Sequence, residues 1–90
     1  MATVTITYLT PLLEVTGKRK DNMSIEDGLV LRDVLNTLSE NYGSKFKKLV
    51  SGENPYIVFM VNGRAIHDHG LETKINDGDS ILIGILVGGG

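Results

Sequence analysis

The sequence predicts an α+β domain in which a mixed sheet wraps one main helix. Three observations predict it. Strict two-residue alternation opens the chain, a single stretch of helical spacing follows, and apolar strand-type runs separated by Asn-Gly and Asp-Gly turns come after it. Ninety residues provide for one domain with a core of modest size.

Each element can be justified in order. In "TVTITYL", Val4, Ile6 and Tyr8 point one way and Thr3, Thr5 and Thr7 the other, the pattern of a half-buried strand that Pro11 ends. "GKRKDN" (17–22) reads as a charged turn, and "MSIED" as a second strand pairing back on the first. Asp27-Gly28 breaks the chain and the period changes. Leu31, Val34, Leu35, Leu38 and Tyr42 form one helical stripe, with Arg32, Asp33, Asn36, Thr37 and Glu40 on the other side. Gly43 is the natural stop. Phe46, Leu49 and Val50 suggest a helical turn in the connection that follows.

"YIVFMV" (56–61), apolar on both faces, predicts a central strand. Asn62-Gly63 supplies both positive-φ positions of a tight hairpin, and "RAI" returns as a short strand. "NDGDS" (76–80) turns the chain into a last strand, Ile81–Val87. The predicted organisation is a folded domain over 1–87 and a flexible glycine tail over 88–90.

Composition removes several classes of function. Hydrophobic residues make up 41 % and charged residues 22 %, and a net charge of −2 offers no broad basic field for nucleic acid or an anionic membrane. With no Cys there is no disulfide, thiolate metal site or Cys nucleophile. "MATVTITYLT" lacks the basic and apolar regions of a signal peptide, and no apolar run approaches the ~20 residues of a membrane helix. A small cytoplasmic domain is expected.

Two constellations invite a metal and are better read as loop. His67-Asp68-His69 has ordinary zinc-ligand chemistry but no recognisable third ligand. Asp77 and Asp79 have the look of a calcium loop without its closing Glu, and read as turn formers whose side chains bond nearby backbone. Lys18-Arg19-Lys20 and Lys45, Lys47 and Lys48 read as solvated faces, with docking of an acidic partner as the functional alternative for them or for Arg64. If Ile81, Ile83 and Ile85 face the helix, alternation puts Leu82 and Leu86 on the open face, where Val58 or Met60 would complete an apolar partner surface. The alternative is that the 44–54 segment or a loop covers them.

The last ten residues, "ILIGILVGGG", dissolve an apolar strand into glycines. Gly88, Gly89 and Gly90 can thread a narrow channel and take backbone angles closed to other residues. A carboxylate at the end of such a tail must be activated before it acylates anything, most simply as a mixed anhydride with AMP. Glycines would deliver it to a site where it attacks the α-phosphorus of ATP.

Together, "DGLVLRDVLNTL", the strand ending in "VNG", "DGD" before the last strand and the Gly-Gly one strand later resemble the MoaD/ThiS sulfur carriers over nearly the whole chain. The chain departs from that pattern with Ile85-Leu86 where Pro-Pro is common, and with Gly88 where Ser or Ala is common. The resemblance implies a ubiquitin-like β-grasp fold. It implies a thiocarboxylate formed at Gly90, with Gly88 and Gly89 threading the activating enzyme's channel. It implies a carrier that is not itself an enzyme and binds no cofactor, ATP being used by the partner. The implied partners are an adenylyltransferase of the ubiquitin-activating type and the large subunit of molybdopterin synthase or another sulfur acceptor. A modifier joined to lysines through Gly90, a carrier for tRNA thiolation, and an interaction domain with an inert tail are the alternatives.

Overall fold

A computed structural model describes residues 1–52, 54–66 and 70–86. Five strands, β1 (Ala2–Tyr8), β2 (Lys20–Ile25), β3 (Val58–Val61), β4 (Arg64–Ala65) and β5 (Ser80–Gly84), form one sheet in the order β2-β1-β5-β3-β4. β1 and β5 run parallel and every other pair is antiparallel. Helices α1 (Leu12–Thr16), α2 (Leu31–Tyr42) and α3 (Ser44–Val50), with a 3₁₀ turn at Gly70–Glu72, complete the mixed α+β fold.

The alternation in β1 does what period two dictates. Val4, Ile6 and Tyr8 are buried and the three threonines are not. Ile81 and Ile83 of β5 lie beside Ile6 and Tyr8 on the same inner face. Leu31, Val34, Leu35 and Leu38 close over them from α2, and Phe46 and Val50 from α3. α2 begins where the Asp33 carboxylate accepts the Val30 N–H at 3.0 Å, satisfying a donor the helix leaves free, and stops at Gly43. Tyr8, Tyr42 and Phe46 meet edge-on or tilted, with centroids 5.6–6.1 Å apart, at the junction of sheet and helices.

The structure departs from expectation at five points. β2 begins at Lys20, inside the predicted turn, because Gly17 at φ 73° reverses the chain earlier and Lys20 already sits opposite Thr7. α1, unforeseen, follows Pro11. β3 begins at Val58, because a turn closed by Ile57 N–H to the Asn54 carbonyl (3.3 Å) holds Tyr56 off the sheet, 72 % exposed. β3 is interior but not central; β5 takes the middle place and ends at Gly84, short of the predicted Val87.

Candidate partner surface and root of the tail

Gly88, Gly89 and Gly90 lie outside the described residues, as does the His67–His69 segment. The structure does describe the ground from which the tail departs. Leu9 N–H donates to the Ile83 carbonyl (2.8 Å) and Ile85 N–H to the Thr10 carbonyl (2.9 Å), so the chain stays tied to the exit of β1 one residue beyond β5. Between those bonds Gly84 takes φ 153° and crosses the Leu9 backbone. A Cβ there would lie 2.4 Å from Leu9 Cβ and 2.9 Å from Leu9 Cα and C, closer than atoms can stand. Sequence reasoning passed over Gly84, although an isolated glycine in a strand often marks close approach by another backbone.

The open face of the sheet divides in two. Thr3, Thr5 and Thr7 stand opposite Ser24, Asn22 and Lys20, a polar half. Leu82 sits between Thr7 of β1 and Met60 of β3, and Met60 faces Ala65 of β4. With Val58, which shares their face, these residues make the apolar half; Val58, Met60 and Leu82 are half-buried, with α2 and α3 on the other side of the sheet. The structure thus brings Leu82 and Met60 together as directly paired neighbours. Leu86, 48 % exposed, does not join them, since strand alternation stops at Gly84. It lines instead a groove of about 520 Å³ at the tail root with Leu9, Leu13, Arg19 and Ile85.

The two turn motifs meet. The Asn62 side chain donates to Asp79 Oδ1 (2.8 Å) and accepts the Ser80 N–H (2.9 Å), while Asn62 N–H donates to the Ser80 carbonyl (2.8 Å). Asp79 Oδ2 accepts the Asn76 N–H at 2.7 Å and Asp77 Oδ1 the Thr3 N–H at 2.8 Å. Asp79 thus takes the turn-forming role expected of it, while Asp77 bonds not its own turn but the start of β1, 74 residues away in sequence. Among the described residues no cluster of three or more His, Asp or Glu could hold a metal, and no helix is long and apolar enough to cross a membrane.

Comparison with known proteins adds three likenesses and a family. A model of the ThiS family matches residues 6–90. Small archaeal modifier protein 3 of Haloferax volcanii is 31 % identical over 80 residues, covering 86 % of this chain and 87 % of that protein. The solution structure of small archaeal modifier protein 1 from Methanosarcina acetivorans aligns with a TM-score of 0.76 at 30 % identity, covering 100 % of this chain and 98 % of that one. A putative molybdopterin converting factor subunit 1 from Pyrococcus furiosus aligns with a TM-score of 0.80, over 97 % of this chain and 100 % of that one; at 21 % identity the likeness is one of fold.

Proposed function

Because the chain belongs to the ThiS family of small ubiquitin-like sulfur carrier and modifier proteins, we propose that it carries sulfur as a thiocarboxylate on Gly90. One observation carries the reading. Among the described residues the last backbone anchor is Ile85, and the residues after Leu86 are a single Val and three glycines within the family match. From that anchor, the five residues 86–90 reach at most about 18 Å, enough to bring a carboxylate into a buried site of another protein.

A carboxylate oxygen of Gly90 attacks the α-phosphorus of ATP on an activating enzyme, and pyrophosphate leaves. A sulfide-level donor then attacks the acyl carbon, AMP leaves, and the thiocarboxylate remains. The carrier's own part is to present the group: Gly84 and the Ile85–Thr10 bond fix where the tail departs, Gly88 and Gly89 thread the channel, and Leu82 with Met60 offers the activating enzyme an apolar seat. The acceptor we propose from the resemblance to the MoaD/ThiS carriers is a molybdopterin precursor on a large catalytic subunit, where transfer of sulfur and addition of water return the carboxylate.

The test is intact-mass spectrometry after incubation with extract of the source cells, ATP and a sulfur source. A gain equal to one oxygen exchanged for sulfur, absent from a chain lacking Gly89 and Gly90, is the expected result. An unchanged mass in both chains would sink the proposal. The likeness to a protein named as a modifier favours a second reading, in which a lysine amine attacks the acyl adenylate and AMP leaves an isopeptide behind. A ladder of ATP-dependent conjugates that resists reductant would select that reading.

A further inference from the structure

A second groove, of about 610 Å³, lies between α1 and α3 on the far side of α1 from the tail root. Val15, Leu49, Pro55 and Tyr56 give it an apolar lining, and Lys45 and Lys48 stand at its rim. The two lysines are one helical turn apart and so share a face of α3. Tyr56 is 72 % exposed, yet it is not loosely held: its N–H donates to Asn54 Oδ1 at 2.9 Å, in the same turn that Ile57 closes. An aromatic ring set out in solvent by a bonded turn, beside aliphatic side chains, is typical of residues that dominate protein interfaces.

Charge identifies the occupant. The chain as a whole is net acidic, yet among the described residues that line the groove two are lysines and none is a carboxylate. Glu14 lines the adjoining hollow, which shares Val15 and Lys45 with the groove, and leaves Lys48 on the groove alone. Among the described residues the ion pairs join Lys18 to Asp21, Arg32 to Glu72 and the N-terminus to Asp27, and the α3 lysines take part in none of them. We propose that this groove docks an acidic segment of a partner protein, one aliphatic side chain seated on Tyr56 and Leu49 and flanking carboxylates paired with Lys45 and Lys48. α1 gives the groove reach, since Val15 lines it while Leu13 lines the tail-root groove. A partner that grips the tail root can therefore continue across α1 onto the lysines. The inference does not depend on which chemistry the tail undergoes.

The full chain, labelled with ¹⁵N, is titrated with a terminally blocked Glu-Glu-Leu-Glu-Glu peptide and, separately, with its Gln-Gln-Leu-Gln-Gln counterpart. The expected shifts centre on the amides of Lys45, Lys48, Leu49 and Tyr56, occur only with the acidic peptide, and shrink as salt rises. Lys45→Glu and Lys48→Glu, both at exposed positions, should each weaken binding about threefold or more. Tyr56→Ala should weaken it at unchanged net charge. Shifts spread equally over Lys18, Arg19, Lys20 and Lys74 would overturn the proposal, as would equal binding of the Gln peptide or indifference to the α3 charge reversals. Concentration-dependent shifts at the same amides without peptide would give the groove to a second copy of the chain, and would also overturn it.

Discussion

Asp21 accepts hydrogen bonds from the Tyr8 hydroxyl at 2.7 Å and from the Tyr42 hydroxyl, and faces Lys18 Nζ at 3.2 Å. Burial pushes its carboxyl up, but the bonds from Tyr42, Tyr8 and Lys18 outweigh it and hold the group below its ordinary 3.8. A depressed carboxylate stabilises the fold above its unfolded value, and that contribution is lost as pH falls through the folded one. Burial first, and then Asp21, moves the Tyr8 hydroxyl the other way, well above its ordinary 10.0. Its contribution is complete below that value and fades as pH rises past it. Urea midpoints measured from about pH 6 to 3 should therefore fall less steeply in Asp21→Asn than in the parent. A parallel decline would mean that Asp21 is not the responsible carboxylate. At Gly84 the conflict is steric. Gly84→Ala should cost on the order of 1–3 kcal/mol in urea unfolding, since the backbone of β5 or of Leu9 has to yield. Neither site was legible beforehand. Asp21 lay in a stretch that read as a turn, and no local rule pairs residue 84 with residue 9.

Between elements, the hairpin turn after β3 and the turn before β5 act as one unit through Asn62. Asn62 also holds φ 52°, a conformation that Asn tolerates better than most residues. Asn62→Ala loses its side-chain bonds to Ser80 N–H and Asp79 as well as that tolerance, and should lower stability by about 1–2 kcal/mol. Asn62→Gly keeps the angle and should cost less, a comparison by urea unfolding that separates the bonds from the backbone. "VNG" and "DGD" were each readable as turns because turn chemistry is local; that they touch depends on β3 and β5 pairing, which sequence spacing does not encode. α1 escaped for a similar reason. It has five residues and one fully buried side chain, Leu12, too little for a period to show. The long stripe of α2, by contrast, was legible from Leu31 to Tyr42 because burial of one face forces the spacing.

At the scale of the molecule, the sheet has a covered face and an open one, and the open one is apolar only over β5, β3 and β4. Leu82→Asp tests what that half is for. Leu82 is half-buried, so the change should cost about 1 kcal/mol, while binding to the activating enzyme should fall by far more. A stability loss above about 4 kcal/mol would instead assign Leu82 to the core. The open-face placement of Leu82 and Met60 was legible because alternation holds within the strands; Leu86, placed with them by the same alternation, lies beyond Gly84, where the strand has ended. The tail root was hidden because its walls come from the end of β1 and the residues after it, α1, Arg19 ahead of β2 and the two residues that follow β5. One further consequence follows from the place of β5, held by β1 on one side and β3 on the other. A protein that draws the tail inward pulls β5 along its own axis. Ladder bonds run across that axis, so those on both flanks resist together in shear instead of parting one after another from an end. The strand that leads to the tail is thus the one the fold grips from both sides, and traction applied through the tail would meet two ladders at once.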